Sequence, residues 1–230
     1  MNESKFNQLA NLLIQGNSPN ELTALINAQE TFGEDLTFIQ GLHLAHIHEL
    51  QNLELNQQLR HYAVIPGALY AGEIPSALND EERERKIACL SQLGITKIIN
   101  LTEPNELNHR GIPLQAYDEQ ATFHFEARGM ELSCIRYPIQ DLNIPSITQM
   151  RSILNTIEQC ITKGGKVYVH CWGGIGRTGT VIGCFLVQQA IVSHALILAY
   201  INYLKRNTNI KDRISPETPD QQRFILNWNE

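Results

Sequence analysis

The 230-residue sequence has no apolar stretch long enough to cross a membrane, and its first residues have no apolar core of the signal-peptide type. Its five cysteines are an odd number and show no paired spacing, which is typical of a reducing compartment. It also has no excess of basic residues, because the net charge is −6. This balance argues against a general nucleic-acid or anionic-membrane surface. We therefore expect a cytoplasmic protein that attracts any anionic ligand at a local positive site.

Charged residues are few as well, at 18% against 43% hydrophobic residues, which is an ordinary globular composition. A chain of 230 residues can hold one good-sized domain with an extension. We place a helical N-terminal extension over residues 1–60 and the main domain over residues 61–230. Apolar residues at helical spacing and a capping box support the extension; they are Phe6, Leu9, Leu12 and Leu13, and Ser18 with Glu21. The extension either packs on the main domain or binds a partner.

Histidines in the extension raise the question of a metal site. His48 and Glu49 begin the zinc-protease pattern, which needs another histidine at position 52. That position is occupied by Asn52, so the pattern fails, and His43 and His46 do not complete a tetrahedral site. We therefore predict no metal and no cofactor.

Beyond residue 60, short β-branched runs alternate with helical patterns, and the first two runs meet at a Pro-Gly turn. The predicted strands cover residues 61–67, 68–72, 95–101, 132–137 and 166–169. The predicted helices cover residues 79–93, 146–163, 181–190 and 193–204, and a last one follows Thr218. Capping boxes are predicted for Ser146 with Gln149 and for Thr218 with Gln221. We therefore predict an α/β fold, with a central, mostly parallel, twisted sheet flanked by helices.

One stretch, residues 104–131, is polar and irregular, and we interpret it as a loop that is long for a compact domain. It either forms one wall of a substrate cleft or is an insertion without a role. The segment at residues 102–106 leaves the end of a predicted strand, where α/β sheets place their sites. That segment either lines the pocket or is an ordinary exposed loop.

The densest chemical pattern lies between a predicted strand and a predicted helix. There Gly173, Gly174 and Gly176 let the backbone turn its N–H groups inward, which suits a tetrahedral oxyanion. The helix beginning near Arg177 adds its positive dipole end, and the guanidinium can grip two phosphate oxygens. Cys171 lies at the mouth of this nest, so we expect an ionised nucleophile poised for phosphoryl transfer.

Residues 170–179, His-Cys-Trp-Gly-Gly-Ile-Gly-Arg-Thr-Gly, resemble the signature loop of the cysteine-dependent protein tyrosine phosphatase superfamily. Spacing and chain length resemble its compact dual-specificity branch, and residues 69–75 resemble the start of many bacterial members. The resemblance implies a phosphatase fold, a cysteinyl-phosphate intermediate and phosphate binding by the loop. The implied phosphate-binding residues are Trp172, Gly173, Gly174, Ile175, Gly176 and Arg177. Trp172 and Gly173 depart from the commonest small pair, which leaves the chemistry intact and makes the pocket wall unusual.

Asp141 is the candidate general acid. It follows a predicted strand, precedes the helix cap at Ser146 and lies 30 residues before Cys171. Release of the leaving oxygen needs a proton, which a carboxylic acid facing the nucleophile can supply. This placement resembles the general-acid loop of dual-specificity phosphatases, and Asp118 and Glu119 are rival acids without it. Asp141 must begin protonated beside anionic groups, so we expect a bell-shaped dependence of rate on pH with an acidic optimum.

Four further residues have predicted roles. His170 is expected to fix the loop by backbone hydrogen bonding and to help keep Cys171 ionised. The Thr178 hydroxyl can reach the cysteine sulfur, which would ease thiolate departure when the phosphoenzyme is hydrolysed. The segment around Gln221 resembles the superfamily's glutamine-bearing loop, which positions hydrolytic water; helix capping is the alternative role for that side chain. The ring of Trp172 either packs as structure or meets substrate.

These patterns predict a protein phosphatase acting on phosphotyrosine, with phosphoserine and phosphothreonine as further candidate substrates. An inositol phosphate or phosphoinositide phosphatase is an alternative, although those enzymes often have lysines inside the loop and residues 172–176 are uncharged. A phospho-binding or interaction protein with weak turnover is another alternative. We expect a phosphorylated protein or peptide as partner, and no nucleic acid.

Overall fold

The structure, a computed structural model, describes residues 53–108 and 110–229. The helices and capping box predicted within residues 1–52, and the histidines at 43–48, lie outside the described residues. The strands are β1 (His61–Ile65), β2 (Leu69–Gly72), β3 (Lys97–Asn100), β4 (Ser133–Arg136) and β5 (Val167–His170). The helices are α1 (Leu53–Gln58), α2 (Asp80–Leu93), α3 (Asp118–Glu126), α4 (Ile147–Thr162), α5 (Gly176–Gln188), α6 (Ile197–Leu204) and α7 (Pro219–Leu226). Within this described part, every helix is too short or too polar to cross a membrane.

The five strands form one sheet in the order β1-β2-β5-β3-β4. β1 and β2 pair antiparallel around a turn in which Gly67 has a φ of 76°, and the other pairs are parallel. The parallel strands end in register: His170 lies opposite both Gly72 and Asn100, and Asn100 lies opposite Arg136. The predicted α/β fold with a mostly parallel sheet is confirmed. The carboxyl ends of four strands therefore meet at one edge, where such folds place ligand sites.

Apolar layers cover both faces of the sheet, because successive residues of a strand point to opposite faces. Ile99 and Val169 face the cluster formed with α4, α5, α6 and α7, whereas Ile98 and Tyr168 face the cluster formed with α1, α2 and α3. α5 is the most central helix, since residues 176–186 are all buried. Full burial of each Val, Leu, Ile or Phe side chain contributes about 1.5–3 kcal/mol, so the two clusters hold the strand ends in place.

The helix ends follow the predicted caps in part. The Asn79 side chain accepts from two N–H groups in the first turn of α2, and Gly94 ends that helix with a φ of 72°. At α4 the Ser146 side chain accepts from the N–H of Gln149. The bond from the Ser146 N–H to Gln149 Oε1 is not among those of the described residues, and Gln149 Nε2 donates to the carbonyl of Pro138 at 2.8 Å, so the predicted capping box at α4 is wrong in its second half. That bond ties the start of α4 to the loop that follows β4.

The interpretation of residues 104–131 as an irregular loop is wrong, because α3 lies within it. The helix buries Ala121, His124 and Phe125 against the second cluster. It has no side-chain cap at Tyr117 and is only nine residues long, so its local signals are limited to the acidic Asp118 and Glu119 in the first turn and His124 in the last. Tertiary packing, which supplies most helix stability in proteins, makes this segment helical.

The start of α6 also differs from its prediction. Ser193 was expected to cap the helix, but α6 begins at Ile197, and its first residue follows Leu196 without a side-chain cap. The backbone carbonyl of Ser193 accepts from the N–H groups of both residues, so a separate turn precedes the helix.

Candidate active site

The cysteine loop, residues 171–177, joins the carboxyl end of β5 to α5, which begins at Gly176. Cys171 thus lies at the edge where the parallel strands end, and only 4% of it is exposed. The unpaired N–H groups of the first turn of α5 lie beside the loop, at the positive end of the helix dipole. A strand end, a glycine-rich turn and a helix N-terminus together make a site suited to an anion.

Hydrogen bonds hold the carbonyl groups of the cysteine loop. The ring Nδ1–H of His170 donates to the carbonyl of Cys171 at 2.8 Å, and the backbone N–H of Ile74 donates to the carbonyl of Trp172 at 3.0 Å. In a trans peptide the N–H points opposite to the C=O. Each fixed carbonyl therefore turns the N–H of the following residue towards the interior of the loop.

Two further carbonyls are held by side chains distant in the sequence. Nη2 of Arg60 donates to the carbonyl of Gly173 at 3.3 Å, and the hydroxyl of Ser215 donates to the carbonyl of Ile175 at 2.8 Å. Ser215 is itself held by Asn202 of α6, whose side chain bonds to both its N–H and its C=O. Donors from four separate segments thus shape the predicted nest of N–H groups.

Gly174 is required by the backbone of the loop. Its φ is 72°, and a Cβ atom there would lie 2.4 Å from the carbonyl carbon and oxygen of Gly72. The loop thus packs directly against the end of β2. Gly173 has more room, since the nearest atom to its Cβ would be 3.7 Å away. Only one of these two adjacent glycines is demanded by close packing and by positive φ.

Arg177 is almost fully buried, with 1% of it exposed, and its guanidinium meets two carboxylates. Nη1 and Nη2 donate to the two oxygens of Glu106 at 2.6 and 2.7 Å, and Nη2 lies 2.9 Å from Asp141. Nη1 also donates to the carbonyl of Ile139, whereas the buried Nε has no partner among the described residues. Burial lowers the pKa of Arg177, but its hydrogen bonds to the Glu106 carboxylate and the charges of Cys171, Glu106 and Asp141 outweigh this and raise it. Arg177 is therefore a permanent cation.

The sequence did not single out Glu106. Its side chain is 8% exposed. Its segment is held by a β-bridge between Leu107 and Pro113 and by a hydrogen bond from the N–H of Leu114 to the carbonyl of Glu106. The one available signal was its position after the carboxyl end of β3. The long segment thus contributes a site residue, in addition to α3.

Asp141, the candidate general acid, lies on residues 138–145, which we call the acid loop, and its half-exposed side chain faces Arg177. The loop is held from two directions, because Gln149 donates to the carbonyl of Pro138 and Gln221 donates to that of Asn143. The rival acid Asp118 pairs with Arg136 at 3.7 Å, at the start of α3. Among the described residues, the carboxylates that pair with Arg177 are those of Glu106 and Asp141.

His170 is fully buried and neutral. Burial lowers its pKa from 6.5 to about 3, and the nearby arginines 136 and 177 act in the same direction. Since Nδ1–H donates to the Cys171 carbonyl, Nε2 accepts from the hydroxyl of Tyr117 at 2.5 Å. The expected backbone hydrogen bond is thus present, but a neutral imidazole brings no positive charge to the cysteine. Tyr117, which completes this chain of bonds, was not identified from the sequence.

Two buried hydroxyl groups near the loop have no hydrogen-bond partner among residues 53–108 and 110–229; they belong to Thr178 and Tyr62. The predicted bond from Thr178 to the cysteine sulfur is therefore not formed in this structure. Burial, and secondarily the charge of Cys171, raises the pKa of Tyr62, so this phenol stays protonated beside the loop. The Trp172 ring packs against the second cluster.

Gln221 is fully buried, and the capping box predicted with Thr218 is confirmed. Its Oε1 accepts from the backbone N–H groups of Glu217 and Thr218, and its Nε2 donates to the carbonyl of Asn143 at 3.1 Å. A Cβ at Gly176 would lie 3.0 Å from Oε1, so this amide also touches the cysteine loop. The side chain connects α7, the acid loop and the cysteine loop.

Known proteins resemble this chain in sequence and fold. Residues 77–191 match the model of a family described as "polymorphic toxin system, DSP-PTPase phosphatase". The Arabidopsis thaliana phosphatidylglycerophosphate phosphatase PTPMT2 is 25% identical over 160 residues, 69% of this chain and 61% of that protein. The Bos taurus protein tyrosine phosphatase domain-containing protein 1 is 33% identical over 122 residues, 52% of this chain and 15% of that protein. The chain thus spans less than two thirds of either relative.

Solved structures agree on the fold. A mutant form of Tk-PTP superposes with a TM-score of 0.51 at 24% identity, covering 71% of this chain and 91% of that one. TpbA of P. aeruginosa also superposes with a TM-score of 0.51, at 12% identity, and the match covers 74% of this chain and 84% of TpbA. The family match includes Glu106, Asp141, Cys171 and Arg177, and it spans half of the chain. The chain therefore belongs to the DSP-PTPase family of cysteine-dependent phosphatases.

Proposed function

We propose that this chain hydrolyses phosphotyrosine in proteins or peptides, with phosphoserine and phosphothreonine as further candidate substrates. The observation that carries the proposal is the position of the Arg177 guanidinium. Glu106 holds it from one side, Asp141 lies 2.9 Å away, and it follows directly on the nest of inward N–H groups. Such a site can bind a phosphate dianion beside a cysteine and place an acid near the leaving oxygen.

In the first step, the Cys171 thiolate attacks phosphorus and forms an S–P bond while the ester P–O bond breaks. The N–H groups of the cysteine loop and Arg177 hold the non-bridging oxygens. Asp141 gives its proton to the leaving oxygen. A bound phosphate would compete with the Asp141 carboxylate for Nη2 of Arg177, so substrate binding would release Asp141 towards the leaving oxygen.

In the second step, water attacks phosphorus, the S–P bond breaks, and the Asp141 carboxylate accepts a proton from the water. Thr178 would donate to the departing sulfur after a small rotation of its buried hydroxyl. Gln221 would act by holding the acid loop in place, because its side-chain Oε1 and Nε2 both already bond to backbone groups. Phosphate then leaves, and no metal takes part in either step.

A phosphorylated lipid is a second candidate substrate. Exposed leucines follow both carboxylates that pair with Arg177: Leu107 is 55% exposed and Leu142 is 53% exposed. Ile144 and Ile147, further along the acid loop and at the start of α4, are also exposed. The plant relative is named a phosphatidylglycerophosphate phosphatase. Against this candidate, residues 172–176 carry no charge to recognise a polyanionic head group.

A substrate panel tests both candidates, with purified full-length chain acting on an aryl phosphate, phosphotyrosine and phosphothreonine peptides, an inositol phosphate and phosphatidylglycerophosphate vesicles. We expect the highest kcat/KM on the phosphotyrosine peptide. Cys171→Ser should abolish turnover, whereas Cys134→Ser, at a half-buried thiol whose pKa burial raises to about 12, should not. Faster lipid turnover would favour the second candidate, and binding without turnover would favour a phospho-binding protein.

A further inference from the structure

The peptide between Gly173 and Gly174 differs from the other links of the cysteine loop in its local freedom to rotate, although Gly174 itself packs against the end of β2. It has a glycine on each side, so no Cβ restricts its rotation. The bulkier residues of the loop lie elsewhere, at Trp172 and Ile175. If this peptide turned over, its carbonyl oxygen would face a bound anion in place of an N–H. The Gly173 carbonyl therefore needs an anchor from outside the loop, as the carbonyls of Cys171, Trp172 and Ile175 have theirs.

Arg60 supplies that anchor. Its Nη2 donates to the Gly173 carbonyl at 3.3 Å and pairs with Glu73 at 2.9 Å. Its Nη1 donates to Asn209 at 3.3 Å, so contacts in two directions fix the plane of the guanidinium. Glu73 is in turn held by Lys86 at 3.2 Å.

We infer that Arg60 is a positioning residue for phosphate binding, which orients the N–H of Gly174 towards the bound anion through the Gly173 carbonyl. The residue lies before β1, outside the segment 77–191 that matches the family model. It is 113 residues away in the chain from the carbonyl that it holds. The inference rests on the proposed function for its consequence in catalysis, but its effect on anion binding can be measured without turnover.

The expected loss of anion affinity and activity in an Arg60 variant can be judged from the cost of losing one oxyanion-hole donor. Removing a single oxyanion-hole donor costs an enzyme about 100- to 1,000-fold in rate. Loss of Arg60 leaves the Gly174 N–H in place and frees its orientation, so we expect a smaller loss, of about tenfold. Both the affinity for a tetrahedral oxyanion and kcat/KM should fall by that factor.

The experiment compares Arg60→Met with Arg83→Met in the full chain. Arg83 is a matched control, because its side chain is similarly buried (15% exposed, against 22% for Arg60) and has three partners, Ala77, Asp80 and Gln120. None of these belongs to the cysteine loop. Calorimetry measures the dissociation constant of tungstate, and kcat and KM are measured on an aryl phosphate, at a temperature below the unfolding midpoint of each variant.

We expect about tenfold weaker tungstate binding in Arg60→Met and wild-type binding in Arg83→Met, at similar thermal stability. Arg60→Lys, which keeps a charged donor in a shorter side chain that ends in a single ammonium group, should recover part of the loss at both low and high salt. Wild-type tungstate affinity in Arg60→Met would overturn the inference, as would equal losses in both methionine variants. Recovery by lysine only at low salt would assign the effect to long-range charge and would also overturn it.

These outcomes are separable from a failure of the proposed function. Wild-type chain that binds tungstate but turns over no phosphomonoester would contradict the proposed function alone. Active wild-type chain with an unaffected Arg60→Met variant would contradict the positioning role alone. Absence of tungstate binding in the wild type would contradict both.

Discussion

At the scale of single residues, the site depends on charges kept away from water. Arg177 and Glu106 are 1% and 8% exposed, and two parallel hydrogen bonds join them. A buried pair of this kind costs desolvation energy, and removing one partner leaves the other unpaired. Here the pair contributes orientation, because its two hydrogen bonds fix the plane of the guanidinium that would hold phosphate in the proposed function.

Glu106→Gln tests this orientation. The amide keeps one acceptor and loses the charge, so the guanidinium is held by fewer bonds. We expect kcat to fall by about tenfold, with a smaller change in KM, in steady-state assays on an aryl phosphate. Glu103→Gln is the matched control on the same segment and should stay within about twofold of wild type. Equal kcat in both variants would show that Glu106 does not orient Arg177.

His170 gives the stability a definite pH dependence. Burial lowers its pKa from 6.5 to about 3, so between these values the unfolded chain binds a proton that the folded chain does not. Its contribution is complete above pH 6.5 and is lost as the pH falls towards 3, by up to about 1.4 kcal/mol per pH unit. Urea denaturation at pH 4.5 and 6.5 should show this slope in wild type and a shallower one in His170→Asn.

Tyr117→Phe separates the effect of the hydrogen bond to His170 on stability from the effect of protonating His170. It removes the hydroxyl that donates to His170 and leaves the buried ring nitrogen unpaired, which should cost about 1–3 kcal/mol of unfolding free energy. The imidazole remains buried, so the slope with pH should remain as well. A lost slope in this variant would mean that His170 is not buried as described.

At the scale of elements, the contact of the cysteine loop with the end of β2 sets a strict requirement at one glycine. Gly174→Ala would place a Cβ 2.4 Å from the backbone of Gly72, in a conformation with φ of 72°. We expect at least a 100-fold loss of kcat/KM and about 2 kcal/mol or more of lost stability. Gly173→Ala has room for its Cβ and should remain within about fivefold of wild type. Similar losses in both would contradict the described packing.

Gln221 decides how α7 supports the acid loop. Gln221→Met removes the acceptor for two backbone N–H groups and the donor to Asn143, and should lower the unfolding free energy by about 2 kcal/mol. Gln222→Met, which loses one bond to Pro216, is the control and should cost less. Accumulation of phosphocysteine in rapid-quench experiments on Gln221→Met, without loss of stability, would support the water-positioning role instead.

At the scale of the whole molecule, the described site takes its residues from position 60 to position 221. Leu59 is fully buried in the second cluster, and Arg60 contacts the cysteine loop. Deleting residues 1–52 should therefore leave kcat/KM on an aryl phosphate within about threefold of the full chain. Deleting residues 1–60 should lower both stability and activity, since removing a buried leucine alone costs about 2–5 kcal/mol. Thermal melts and steady-state kinetics on the two truncated chains check this.

Much of the fold was accessible from local patterns. The strands, the helices α2, α4 and α5, and the cap of α7 follow from apolar periodicity, glycine stops and capping residues that lie within a few positions of each other. α3 was missed because its nine residues carry little periodicity and no cap, so only burial against α2 makes it helical. The second half of the α4 capping box was wrong because the Gln149 side chain turns to the loop after β4, where its Nε2 donates to the carbonyl of Pro138.

The sequence by itself determined the proposed chemistry, because the candidate nucleophile, the glycines and the arginine lie within seven consecutive positions, 171–177, between a strand and a helix. The tertiary structure decided what holds that chemistry in place. Glu106 lies 71 residues from Arg177, Tyr117 lies 53 residues from His170, and Arg60 lies 113 residues from Gly173. A buried polar group must bond to whichever group the folded chain brings near it. When the two partners are far apart in the sequence, local patterns do not show which group that will be.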